Sequence, residues 1–169
     1  TIEDKKLTKT FKALIKTSNA LRKIGIDLRK KIFAQIHENF GGNLRKIVCG
    51  GAPIRPEMGE FFDDIGITLI GGYGITECAP LIAVSPYYAP KRGSVGPAVP
   101  CCTVRIDSDY QNDKGYFEGE IQVQGDNVML GYYKNPEETA KVMRDGWFMT
   151  GDLAYKNPEN GTFKIVGRV

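Results

Sequence analysis

Histidine is nearly absent from this chain, and the scarcity constrains its chemistry. His37 is the single histidine in 169 residues. Four cysteines (Cys49, Cys78, Cys101 and Cys102) form no C-x-x-C pair and have no histidine partner at ligand spacing, so a zinc site is not supported. The thiols read as reduced, buried groups of a cytoplasmic protein. Adjacent Cys101 and Cys102 point to opposite faces if they share a strand. With no serine or cysteine pattern near it, His37 reads as a surface histidine. No apolar run approaches ~18 residues, which excludes a transmembrane helix. The opening Thr1-Ile2-Glu3-Asp4-Lys5 is not a signal peptide and lacks methionine, as in a cut piece. Internal repeats and low-complexity tracts are also missing.

A large charge excess is absent too: 23 basic and 20 acidic side chains leave +3. Most of the excess lies early, in Lys5, Lys6, Lys9, Lys12, Lys16, Arg22, Lys23, Arg29, Lys30 and Lys31. This reads first as a solvated helix face and second as a patch for a membrane surface or anionic ligand. No recognition motif accompanies it, so nucleic acid is not an expected partner. Hydrophobic residues at 41% and charged residues at 25% suit a globular chain with a real core.

What is present is an ordered series of motifs. Leu28, Ile32, Phe33 and Ile36 recur at helical spacing and predict a helix ending at Gly41-Gly42. A strand over residues 44–49 then enters the turn Gly50-Gly51-Ala52-Pro53. Pro56 suits a first helical position, and Phe61, Phe62 and Ile65 give that helix an apolar side. A second strand over residues 67–70 completes a β-α-β unit, whose strands are expected to be parallel. It empties into a turn with three glycines, Gly71-Gly72-Tyr73-Gly74-Ile75-Thr76-Glu77. Both glycine-rich exits then lie on one edge of the sheet, where open α/β sheets bind ligands. Glycines admit a ligand close to the backbone; a tyrosine face, a hydroxyl and a carboxylate suit a heterocycle, a phosphate and a divalent cation.

Residues 86–100, with Lys91-Arg92, read as an extended connector. Beyond them come short alternating segments over residues 103–107, 120–124, 147–150, 153–156 and 162–166, separated by Asp113-Lys114-Gly115, Asp145-Gly146 and Asn160-Gly161. One helix interrupts them, with Asn135 as cap, Pro136 first, Glu138 reaching back, and residues 139–143 following. The fold class is α/β: a partial parallel-sheet layer over residues 1–86, then a β-rich distorted-barrel subdomain over residues 87–169.

Three segments together resemble motifs of the adenylate-forming, AMP-producing acyl-CoA synthetase superfamily. They are Gly50-Gly51-Ala52-Pro53, Gly72-Tyr73-Gly74-Ile75-Thr76-Glu77 and Trp147-Phe148-Met149-Thr150-Gly151-Asp152. Ile165-Val166-Gly167-Arg168 resembles a fourth, at that family's interdomain hinge. Gly119-Glu120-Ile121-Gln122-Val123 and Gly131-Tyr132-Tyr133-Lys134-Asn135-Pro136-Glu137 also match family segments. The resemblance implies an enzyme whose carboxylate substrate attacks the α-phosphate of ATP, after which the thiol of coenzyme A displaces AMP. Two anions must meet, so positioning and charge neutralisation carry the rate enhancement.

By this resemblance Thr76 would hydrogen-bond the α-phosphate and Glu77 would ligate Mg²⁺. Gly72, Tyr73 and Gly74 would line the adenine, with Gly51, Ala52 and Pro53 between adenine and acyl tunnel. Asp152 would accept from both ribose hydroxyls, and Arg168 would reach the ribose or a phosphate. Taken singly, Thr76-Glu77 also suits a helix cap, residues 50–53 an ordinary turn, Asp152 a turn position and Tyr73 core packing.

The family's phosphate loop and the lysine of its small C-terminal domain have no counterpart here. The sequence therefore reads as the second half of the large domain of a longer, cytoplasmic enzyme with peripheral membrane contact. Losing three charge-assisted contacts at ~1.5 kcal/mol each weakens nucleotide binding roughly a thousandfold. The piece is expected to fold, to bind ATP barely, to be inactive, and to self-associate through exposed strand edges. The run from Gly41 to Pro53 is most similar to bacterial long-chain fatty-acid ligases, making a fatty acid the expected substrate. An amino-acid- or aryl-acid-activating domain and a non-catalytic nucleotide-binding module of the same fold are the alternatives.

Overall fold

Strand β1 (Lys46–Cys49), a crossover and strand β2 (Thr68–Gly74) lie side by side in a three-stranded sheet, forming its parallel part. The computed structural model describes residues 2–90 and 93–169. Lys91-Arg92 and the side chains of Lys5 and Lys6 lie outside the described residues. The chain divides into two compact units, one holding residues up to Ile47 with Arg55–Leu69, the other holding Val48–Ile54 with Ile70–Val169. No helix among the described residues is long and apolar enough to cross a membrane.

The first unit is helical apart from its strand ends. Helices α1 (Ile2–Lys23), α2 (Arg29–Ile32) and α3 (Ala34–Asn39) precede β1, and α4 (Pro56–Asp64) follows it with Pro56 at its start, as the sequence predicts. Phe33, Ile65 and Ile67 form the buried centre, against which Phe11, Ile15, Ile36 and Phe62 pack. The rings of Phe11 and Phe33 meet edge to face at 5.4 Å. Lys9, Lys12, Lys16 and Lys23 of α1 are exposed, as on a solvated face.

The single helix expected from Leu28 to Gly41-Gly42 is two, parted at Phe33 (φ −104°, ψ 28°). Both pieces still turn Ile32, Phe33 and Ile36 to one core, and it is that burial the apolar spacing encodes. Arg29 closes the unit from outside by donating to the Asp63 carbonyl at 2.6 Å and to Asp27 at 2.6–2.9 Å. The Arg29 hydrogen bond draws the Asp27 carboxyl down to about 2.

His37 is not a surface histidine. It is 3% exposed, with Nε2 2.7 Å from the Ile65 carbonyl oxygen. A carbonyl only accepts, so Nε2 carries the proton. The placement follows from helical spacing, because His37 stands four residues after Phe33 and shares its inward face. Charged sequence neighbours say nothing about that face.

In the second unit, strand β3 (Leu81–Val84) returns antiparallel to β2 and completes the first sheet. A curled antiparallel half-barrel follows. Its strands are β4 (Cys102–Asp107), β5 (Glu118–Gly125), β6 (Met143–Arg144), β7 (Trp147–Lys156) and β8 (Phe163–Arg168). The order is β4-β5-β7-β6, with β8 also on β7. Ile82 and Ala83 of β3, Ile121 and Val123 of β5, Phe148 and Ala154 of β7 and Phe163 of β8 make one core.

The two strands expected over residues 147–150 and 153–156 are one, because β7 continues through Gly151. The four-residue β3, bounded by prolines, and the two-residue β6 were too short to read. Residues 93–100 are no free connector. Val95 N–H donates to the Phe163 carbonyl, Phe163 N–H to that of Gly96, and Val99 N–H to that of Ile82, each at 2.9 Å. Helix α5 (Pro136–Val142) is capped by the Asn135 side chain, which accepts from Glu138 N–H. The Glu138 carboxylate pairs with Lys141 instead of reaching back, so the expected reciprocal cap is half made.

The buried histidine gives this fold a direct check. His37→Ala leaves the Ile65 carbonyl unpaired and opens a cavity, and is expected to cost about 2–3 kcal/mol in urea denaturation. A midpoint equal to wild type would contradict the buried placement.

Candidate functional site

The glycine-rich segment after Ile70 is strand, not turn. Strand β2 runs on through Gly71, Gly72 and Tyr73 to Gly74, pairing Gly72 with Val84 and Tyr73 with Ala83. The glycines answer to crowding, since none of the three has positive φ. A Cβ on Gly71 would lie 2.9 Å from the Ser94 carbonyl oxygen, and one on Gly74 only 1.9 Å from that of Pro80. No larger residue fits there without moving backbone.

The same closeness joins the first two motifs. A Cβ on Gly50 would lie 3.1 Å from the Gly72 carbonyl oxygen. The segment leaving β1 thus runs beside the end of β2, as the β-α-β reading requires. Gly51, Ala52 and Pro53 beyond it are exposed. After Gly74, a short 3-10 turn (Thr76–Cys78) opens with Thr76 exposed and Glu77 half-buried. Cys78 closes the turn inside the core, where burial pushes its thiol up to about 11 and keeps it neutral. Cys101, by contrast, is exposed rather than buried.

The third motif reaches the second through a hydrogen bond. Tyr73 OH donates to Asp152 Oδ2 at 2.7 Å across 79 residues of sequence. Both are nearly sealed, Tyr73 at 9% and Asp152 at 8% exposure. Tyr73 lies in the second unit's core and joins the site through its hydroxyl. Burial first, then the hydrogen bond to Asp152 and its charge, hold its phenol above the ordinary value; it stays a donor at neutral pH.

Asp152 is oriented by its own strand as well. Its N–H donates to Thr150 Oγ1 at 3.1 Å, and that hydroxyl donates to the Ile121 carbonyl at 2.9 Å. The Gly151 N–H donates to Glu120 Oε1 at 2.8 Å. Arg168 stands opposite Asp152 in the β7–β8 register and brings Nε to 3.2 Å from Oδ1, with its side chain 75% exposed.

Residues 127–132 belong to this arrangement although no role for them is legible in the linear order. Met129 N–H donates to the Glu77 carbonyl at 2.7 Å, and Tyr132 OH to Glu77 Oε1 at 2.9 Å. Asn127 Nδ2 donates to the carbonyls of Leu81 at 2.8 Å and Cys78 at 3.2 Å. The only signal was the segment Gly131-Tyr132-Tyr133, whose meaning lies in contacts 55 residues away.

No group of three or more His, Cys, Asp or Glu side chains among the described residues could hold a metal. Glu77 alone still fits magnesium, which takes one or two protein carboxylates and completes its shell with phosphate oxygens and water.

Tyr73→Phe removes the buried donor to an ionised carboxylate and is expected to destabilise the protein by about 1.5–3 kcal/mol in chemical denaturation. A loss below about 0.5 kcal/mol would show that the bond does not hold Asp152.

Comparison with known proteins identifies the family. The profile of the AMP-binding enzyme family matches residues 8–133. A long-chain-fatty-acid–CoA ligase of Yersinia pestis is 41% identical over 128 residues, covering 74% of this chain and 23% of that protein. A feruloyl-CoA synthase of an Amycolatopsis species is 40% identical over 130 residues, covering 75% of this chain and 26% of that one. The chain thus spans about a quarter of the length of these relatives. The o-succinylbenzoate coenzyme A synthetase of Bacillus subtilis in complex with AMP superimposes with a TM-score of 0.66 at 29% identity, covering 82% of this chain and 30% of that one. With its motifs gathered on one strand end and the family profile spanning most of its length, the chain belongs to the AMP-binding family of adenylate-forming ligases.

Proposed function

We propose that this chain forms the AMP-binding part of a ligase that activates a long-chain fatty acid as its acyl-adenylate and passes the acyl group to coenzyme A. The observation that carries the reading is the Tyr73–Asp152 hydrogen bond, which joins two family motifs far apart in sequence. Asp152 is the ribose partner. Its two oxygens offer about four acceptor sites, of which Tyr73 and Arg168 occupy one each, leaving room for ribose hydroxyls. Arg168 is exposed enough to turn from the carboxylate toward ribose or phosphate.

Gly72, Tyr73 and Gly74 border the adenine, and Gly51, Ala52 and Pro53 stand between the adenine and the acyl group. The exposed Thr76 hydroxyl hydrogen-bonds the α-phosphate where negative charge builds during attack. Glu77 holds Mg²⁺ beside it; the cation would neutralise phosphate charge when bound. A fatty acid is favoured by the Yersinia relative and by residues 41–53. The Amycolatopsis relative supports an aromatic acid as the second reading.

Pyrophosphate exchange tests both. The 169-residue chain by itself is expected to show no exchange, because it spans only about a quarter of the length of its relatives. A longer ligase containing it is expected to exchange with palmitate in preference to ferulate, acetate or amino acids. Thr76→Ala and Glu77→Gln should each lower that rate about a hundredfold or more. Acyl-adenylate formation by the isolated chain, or full activity in either variant, would contradict the assignment.

A further inference from the structure

The strand-end motif is not the only element acting on Glu77. Residues 127–132 grip it twice, through its carbonyl and through one carboxylate oxygen. Tyr132 is itself set from behind. Its N–H donates to Thr139 Oγ1 at 2.9 Å, and that hydroxyl donates to the Asn135 carbonyl at 2.9 Å, at the start of α5. The close fit needs Gly131, at φ +148°, where a Cβ would come 2.9 Å from the Thr139 methyl. A phenol on the surface is thus fixed by a helix-borne hydroxyl and aimed at a carboxylate.

We propose that Tyr132 is a positioning residue for Glu77, holding Oε1 so that Oε2 remains directed to the metal–nucleotide. The inference rests on the reading of Glu77 as the magnesium ligand. An unrestrained glutamate must lose side-chain freedom when it binds a cation, whereas a hydrogen-bonded one has already lost much of it. Partners that orient a ligating carboxylate in this way commonly change metal affinity about 10–100-fold when removed.

The test combines two measurements. In the longer ligase, Tyr132→Phe is expected to raise the Mg²⁺ concentration for half-maximal adenylation about tenfold, leaving kcat at saturating Mg²⁺ within about twofold of wild type. In the 169-residue chain without metal or nucleotide, Tyr132→Phe is expected to release the Glu77 side chain, read by NMR as rotamer-averaged rather than single-rotamer couplings about its χ1. An active ligase whose Tyr132→Phe variant keeps the wild-type Mg²⁺ requirement overturns the inference alone. So does a variant that loses its folded state, which marks a structural role, or a Glu77 side chain whose rotamer order is the same with and without the Tyr132 hydroxyl. A wild-type ligase without Mg²⁺-dependent adenylation overturns the reading of Glu77 and the inference with it.

Discussion

A sealed hydrogen bond between a phenol and a carboxylate links the end of β2 to the middle of β7. Inside a protein an unpaired carboxylate is costly, so Asp152 could not remain this buried without the Tyr73 donor and the Arg168 charge beside it. The bond needs Tyr73 to point inward at the position where β2 bulges against β3, and the glycines on either side let the backbone pass that close. The proposed nucleotide site at the strand end therefore depends on a packing constraint that contains no nucleotide.

The second constraint is the loop under α5. Glu77 lies one turn beyond the strand, where a surface carboxylate would ordinarily sample several rotamers. Met129, Tyr132 and Asn127 bind this turn from 49 to 55 residues away. The curled sheet thus serves the short one twice, through Asp152 and through residues 127–132.

How much of this was legible depended on whether the deciding contact is local. The β-α-β unit, Pro56 at the start of α4, the Asn135 cap and the Asp145-Gly146 turn rest on neighbours in sequence and were read correctly, although the β6–β7 hairpin that this turn closes was not. The three glycines signalled a close backbone approach, but turn and crowded strand share that signature, and only Ser94 and Pro80 distinguish them. The surface reading of His37 followed its charged neighbours rather than its spacing from Phe33, and its partner, the Ile65 carbonyl, lies 28 residues on. Tyr132 was seen inside a family segment, yet nothing in the linear order connects it to Glu77. The candidate site residues rest on a family resemblance in residue type and order, a matching of chemistry that does not require the fold.

The central claim is that residues 50–53, residues 71–77 and Asp152 form one AMP site. The most direct measurement is an AMP titration of this chain at millimolar concentration, followed by backbone amide NMR. The account predicts that the amides of Gly51, Gly72, Thr76 and Asp152 shift together along a single weak binding isotherm. Shifts confined to other residues, or isotherms of different midpoint for these four, would contradict it.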